Sequence, residues 1–96
     1  MVKIHRATIG ARIGGIFLEI VELAYHAYYA PSHEKLPIIV SALKKVDVLK
    51  LLITIAWEGN LIQTVQFSEL TEKLQEISKM LGGWKRGIES KEKLGH

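Results

Sequence analysis

The chain has 96 residues, of which 48% are hydrophobic and 24% charged, and its formal net charge is +3. This length supports one domain with a modest core. The absence of cysteine excludes disulfides and thiolate metal sites, and is consistent with a reducing cytoplasm. The apolar content excludes a disordered chain.

No segment has the alternation of polar and apolar residues that is typical of a strand, so an all-α fold is expected. The first residues lack the apolar run of a signal peptide. The longest apolar stretches, 13–30 and 46–57, are interrupted by charged residues. The sequence therefore predicts a soluble, cytoplasmic protein with no membrane partner.

The first predicted helix covers about residues 6–29. Its apolar residues recur every three or four positions, which puts them on one helical face; they are Ile9, Ile13, Ile16, Ile20, Leu23 and Ala27. Gly10, Gly14 and Gly15 lie in its first turns, where each costs about 1 kcal/mol relative to alanine. Close approach of a neighbouring backbone would explain them, and fraying of this end is the alternative.

The second predicted helix covers residues 37–59 and begins at Pro37, because proline suits a first helical turn. Between Val46 and Trp57 it is apolar on nearly all sides. Such a helix must be covered on nearly all sides. Three helices of one small chain cannot easily do so, and a homo-oligomer is therefore expected.

The third predicted helix covers residues 64–88, with Thr64 as N-cap and a polar, fraying tail at 89–96. Its apolar residues form an uninterrupted heptad seam: Phe67, Leu70, Leu74, Ile77, Leu81, Trp84 and Ile88. Gly82 and Gly83 either mark a tight helix crossing or end the helix, and the register kept by Trp84 favours continuation. The three helices predict one antiparallel up-down helical bundle over residues 1–96. The candidate core and interface residues are Leu49, Leu52, Ile53, Leu74, Ile77, Leu81, Gly82, Gly83 and Trp84.

Catalytic and metal sites have little support in the sequence. Glu19, Glu22 and His26 share a helix face, as metal ligands in di-iron bundles do, but no second Glu-x-x-His occurs. A solvated acidic face is favoured. No serine is accompanied by a positioned histidine, and there is no cysteine. The sequence therefore predicts that the protein is not an enzyme and holds no metal and no cofactor.

The positive charge is concentrated at the two ends of the chain. Residues 1–12 carry three basic and no acidic residues, and residues 79–96 carry five basic against two acidic residues. An oligomer would repeat these ends into rings that could hold phosphates, whereas ordinary solubilising charge is the alternative. The candidate nucleic-acid-binding residues are Arg6, Arg12, Lys44, Lys45, Lys79, Lys85 and Arg86.

Residues 76–84 read Glu-Ile-Ser-Lys-Met-Leu-Gly-Gly-Trp, and residues 5–13 and 35–52 contain two further motifs. Together these resemble a bacterial four-helix-bundle family. That family includes the accessory variability determinant of diversity-generating retroelements and the proteins encoded in ribosomal-RNA intervening sequences. The family's first helix has no counterpart here.

The resemblance implies a non-catalytic pentamer that binds RNA or DNA and associates with a reverse transcriptase. The basic positions that correspond are Arg6, Arg12, Lys79, Lys85 and Arg86, while Gly82, Gly83 and Trp84 are expected to pack. A structural oligomerisation module of the intervening-sequence type, with an unknown partner, is the alternative.

Overall fold

The computed structural model describes the backbone of residues 6–94 and the side chains of residues 8–91. It contains three α-helices: α1 (Arg6–Tyr29), α2 (Ser32–Glu58) and α3 (Thr64–Leu94). No strand occurs in residues 6–94. The prediction of an all-α fold is confirmed, and α1 has the predicted bounds.

The middle helix, α2, is the shared packing partner. It buries one complete stripe, spaced by three or four residues: Ile39, Ala42, Val46, Leu49, Ile53 and Ala56. Ile16 and Ile20 of α1 and Leu74 and Leu81 of α3 join this stripe in one core. Over residues 6–94, the Cα atoms of α1 and α3 do not come within 8 Å of each other. Each outer helix is therefore held in place by α2.

The start of α2 differs from the prediction. The helix begins at Ser32, five residues before Pro37, which lies inside it. Glu34 lies in the first turn, where a negative charge interacts favourably with the helix dipole. Because Pro37 is the sixth helical residue, its missing N–H would otherwise have bonded to the carbonyl of His33. The helix gives up that one bond and continues.

A contact across the α1–α2 turn helps to fix this early start. The Lys35 ammonium donates hydrogen bonds to the carbonyl oxygens of Ala27 (2.8 Å) and Tyr28 (2.9 Å). These carbonyls belong to the last turn of α1, where the N–H groups of a further helical turn are missing, and the Ala27 carbonyl also accepts the N–H of Ala30 at 3.4 Å. Lys35 Nζ also lies 5.9 Å from the ring centre of Trp84 on α3. One side chain thus links all three helices.

The turn after α2 is a Schellman motif. Asn60 has a φ of 60°, and its N–H bonds to the Trp57 carbonyl at 3.0 Å. The N–H of Leu61 bonds to the Ala56 carbonyl at 2.7 Å. These two bonds satisfy helix-end carbonyls. Asn60 takes the left-handed position, whereas the preceding Gly59 has a φ of −84°.

Aromatic packing joins the end of α2 to the start of α3. The rings of Trp57 and Phe67 stack with their centres 4.3 Å apart. The Trp57 indole N–H donates to Thr64 Oγ1 at 3.2 Å. Thr64, the predicted N-cap, is the first residue of α3, and its hydroxyl serves this contact.

The third helix runs through Gly82 and Gly83 without a break and continues to Leu94, six residues past the predicted end. Residues 89–94 contain no glycine or proline and are rich in lysine and glutamate, which are good helix formers. Polar composition alone therefore does not end this helix.

Candidate functional site

A shallow groove of about 480 Å³ runs between α2 and α3 and is lined by three cations. We call it the basic groove, and its lining residues are Lys50, Gln75, Ser78, Lys79, Gly82 and Arg86. No carboxylate lines it. Within the described side chains, at 8–91, no salt bridge involves Lys50, Lys79 or Arg86. A cleft lined by one sign of charge concentrates counter-ions, so this groove is suited to anions.

The helical register of α3 brings its groove residues together. Gln75, Ser78, Lys79 and Gly82 are spaced by three, one and three residues, which keeps them on one face. The buried side of α3, with Leu74 at 2% exposure, fixes this face beside α2. The groove is thus set by core packing.

Lys50 approaches the groove from α2. It follows the fully buried Leu49 and is itself half-buried, at the edge of α2 that faces α3. Sequence reasoning missed it as a candidate. The available signal was that a single cation, Lys50, lies in the stretch 46–57, whose other polar residues are Asp47 and Thr54.

The two glycines of α3 leave room for Arg86. A Cβ atom on Gly82 would lie 3.7 Å from Arg86 Nη1, and one on Gly83 would lie 4.0 Å from Nη2. The guanidinium therefore lies along the side-chain-free surface of its own helix. Neither Cβ would meet any other group of the described chain within 4 Å. Among the described residues, the expected tight helix crossing at these glycines is not present.

Glycines at the start of α1 are equally open. A Cβ atom on Gly10, Gly14 or Gly15 would meet nothing within 4 Å. Within the described residues, no neighbouring backbone approaches them. The expected explanation by close packing is therefore not found inside one chain.

Of the seven predicted basic residues, the groove contains Lys79 and Arg86. Lys45 instead donates a hydrogen bond of 2.8 Å to Glu19 Oε2. That bond and the positive charge of Lys45 lower the pKa of the Glu19 carboxyl, and the more distant Arg12 charge adds to the effect. Lys45 is thus engaged by an acid, and its charge is locally balanced.

The remaining predicted cations lie apart from the groove. Arg12 and Lys44 are exposed on α1 and α2, and Lys85 is half-buried on α3. None of them lines the basic groove. The side chain of Arg6 lies outside the described residues. The structure does not gather the other six predicted cations, whose side chains are described, into one surface.

The predicted core and interface residues lie as follows. Leu49, Ile53, Leu74 and Leu81 are buried, and Leu52, Ile77 and Trp84 are half-buried and packed against them. Gly82 is half-buried and Gly83 exposed.

A second cleft, between α1 and α2, contains the acidic face considered as a metal site. Glu19, Glu22 and His26 line it together, as their spacing predicts. The Lys45 ammonium also lines it and bonds to Glu19. Within the described residues, no three carboxylate or imidazole groups are arranged to hold a metal ion.

Within the described part of the chain, none of the helices combines the length and the apolarity needed to cross a bilayer. Comparison with known protein families, with curated proteins and with solved structures finds no match for this chain.

Proposed function

We propose that this protein binds the phosphate backbone of nucleic acid in the basic groove, as a non-catalytic accessory protein. The observation that carries the proposal is the convergence of Lys50, Lys79 and Arg86 in a cleft without a carboxylate. Lysine and arginine that contact phosphates release condensed counter-ions, which supplies affinity with no sequence preference.

The composition of the groove favours backbone contact over base stacking. No aromatic side chain lines it, and stacking on aromatic rings is how single-stranded bases are usually held. It also lacks a histidine or carboxylate that could act as a general base. Binding without catalysis is the function that these groups support.

The biological partner follows from the sequence resemblance alone. On that basis the chain is an accessory protein of a diversity-generating retroelement, acting in the cytoplasm as a homo-oligomer beside a reverse transcriptase. A subunit number of five remains a prediction from the resemblance. Co-purification of the chain with the reverse transcriptase, with and without nuclease treatment, tests the partner separately from the groove.

An incomplete helical bundle supports the self-association in this proposal. The Glu19–Lys45 and Trp57–Phe67 contacts support an antiparallel arrangement of successive helices. The transverse dimensions of 21 and 20 Å are nearly equal, so the three helices do not lie in one plane. Because no Cα atom of α1 lies within 8 Å of one in α3 over residues 6–94, we infer that the helices occupy three corners of a four-cornered bundle.

The test is a fluorescence-anisotropy titration with a structured RNA and a DNA duplex at several salt concentrations. Each phosphate contact contributes about 0.9 to the slope of log affinity against log salt on duplex DNA. The double variant Lys79→Glu/Arg86→Glu removes two contacts and should lower that slope by roughly 1.8 for each chain engaged.

The matched control is Lys73→Glu/Lys91→Glu, which makes the same change in charge at two exposed positions of α3 outside the groove. We expect it to keep the wild-type slope. Equal losses in both double variants would show that net charge, and not the groove, determines binding.

A structural oligomerisation module is the second candidate function. It is favoured by the large apolar side chains that α1 and α2 expose, among them Leu18 at 59% and Leu51 at 60%. A folded, self-associating protein that binds neither nucleic acid at low salt would support this second function and overturn the first.

A further inference from the structure

The outer surface of α1 carries a second apolar seam in addition to the one in the core. We call it the outer seam, and its members are spaced by three, four, three, four and three residues: Ala11, Gly14, Leu18, Val21, Tyr25 and Tyr28. All six are exposed, and Tyr25 and Tyr28 are each 68% exposed. None is charged. This spacing is that of helices packed lengthwise against one another.

We propose that the outer seam binds a second copy of this chain, with the two α1 helices antiparallel about a two-fold axis. The proposal rests on the self-association in the proposed function and names the surface responsible, but it replaces the five subunits that the resemblance implies with an even number. It does not depend on the basic groove, which lies on α3 and the facing edge of α2.

Side-chain size along the seam indicates the second copy and its direction. The seam is small at its start and aromatic at its end. When the axis passes between residues 19 and 20, Ala11 faces Tyr28 of the second copy and Gly14 faces Tyr25 of the second copy. Leu18 of each copy then faces Val21 of the other copy. Every layer then pairs a smaller with a larger side chain, as close packing requires.

The glycine of the seam supports this arrangement. A Cβ atom on Gly14 would meet nothing within 4 Å, so the helix backbone is bare where a tyrosine ring of the second copy would lie. Parallel helices would instead place Gly14 on Gly14 and Tyr25 on Tyr25. That arrangement would leave a void at one end and crowd the other. The size gradient therefore favours the antiparallel pair.

The exposed aromatic area on α1 is a large part of what a stable pair buries. Aromatic side chains present roughly 200 Å² each, so the exposed fractions of 40–68% along α1 correspond to about 500 Å² of aromatic surface. Tyr25 and Tyr28 of the seam supply about half of this area, and Phe17 and Tyr29 lie beside the seam. Leu18 and Val21 add to it, and a standard interface buries roughly 800 Å² on each partner.

Cysteine cross-linking tests the pairing directly, because the chain has no cysteine of its own. Ala11→Cys and Tyr28→Cys are prepared separately, mixed in equal amounts and oxidised. We expect a disulfide between the two variants. Antiparallel helices would put the two copies of position 11 about 25 Å apart, far beyond the ~4 Å between Cβ atoms in a disulfide.

Two cross-linking results would overturn the proposal. A disulfide between two copies of Ala11→Cys would indicate parallel helices. Absence of the mixed disulfide in a protein that self-associates would show that another surface is used, and would leave the homo-oligomer of the proposed function standing.

Sedimentation of charge variants provides the second measurement. Leu18→Glu puts a charge into the seam at a 59% exposed position, and Met80→Glu does the same at a 71% exposed position of α3. We expect the first to raise the dimer dissociation constant by at least about tenfold, or 1.4 kcal/mol, and the second to leave it unchanged. Circular dichroism checks that both stay helical.

An isologous pair gives an even number of subunits. Sedimentation of the wild-type chain as a 10.8 kDa monomer at every concentration would overturn the proposal, as would an assembly of five chains. A fluorescence-anisotropy titration of Leu18→Glu with nucleic acid separates the outer-seam proposal from the proposed function. Nucleic-acid binding in the basic groove is expected to survive in the monomer.

Discussion

The two outer helices, α1 and α3, have similar inner faces and very different outer faces. Both pack on α2 through apolar residues spaced by three and four. Among the described side chains of α3, the large apolar ones that are exposed are Val65 and Met80, and they lie among many charged residues. Those that α1 exposes form a nearly continuous surface: Phe17, Leu18, Val21, Tyr25, Tyr28 and Tyr29. Contiguous apolar surface marks an interaction site, and we therefore propose that α1 faces a partner whereas α3 faces water.

The largest expected effect comes from shortening a buried side chain on the inner face of α1 or of α3. It tests whether the two inner faces contribute equally to stability. Ile20 of α1 and Leu74 of α3 are each 2% exposed in the same core. Ile20→Ala and Leu74→Ala should each lower the free energy of unfolding by about 2–5 kcal/mol, measured by urea denaturation. A much smaller loss for Ile20→Ala would mean that α1 docks on α2 less firmly than α3 does.

Glycine substitutions sharpen the contrast between the outer faces. Gly87 of α3 and Gly14 of α1 both lie inside helices with open space around a new Cβ. Gly87→Ala should therefore stabilise the fold by up to about 1 kcal/mol at every protein concentration.

Gly14→Ala should give the same gain in the monomer but weaken self-association, because a methyl group would occupy the space assigned to Tyr25 of the second copy. Thermal denaturation across a range of protein concentrations measures both the stability of the monomer and the strength of self-association. Identical behaviour of the two variants would remove the distinction between the helices.

The smallest effect concerns the ion pair between α1 and α2. The lowered pKa of Glu19 means that its contribution to stability is present above its ordinary value of 4.5 and is lost as pH falls through the lowered pKa. In Lys45→Met, the Glu19 pKa should return towards the ordinary value. A carboxyl titration by NMR measures this, and no change would show that Arg12, the more distant cation, sets the shift.

Much of the fold could be predicted from the sequence because apolar spacing reports helices directly. The bounds of α1 and the continuity of α3 through its glycines follow from such spacing. The start of α2 could not be predicted in this way, since proline is over-represented in the first helical turn and Pro37 instead lies inside the helix. The bonds from Lys35 to the carbonyls of α1 join residues seven and eight positions apart across a turn. No periodicity within a helix reveals them.

The candidate site was only partly predictable for a related reason. Counting charges along the chain identified Lys79 and Arg86, which are seven residues apart on α3. Lys50 joins them because the packing of α2 against α3 brings together positions that are distant in the sequence. Charge counting also could not show that Lys45 is balanced by Glu19.

The position of α2 between two helices whose backbones stay apart has a consequence for motion. Either outer helix can detach while the other stays docked, but the buried stripe of α2 is uncovered fully only when both have left. Local opening should therefore begin in α1 and α3, and the backbone amides of α2 should exchange with solvent most slowly. Occupation of the outer seam would slow the opening of α1 and reduce this difference between the helices.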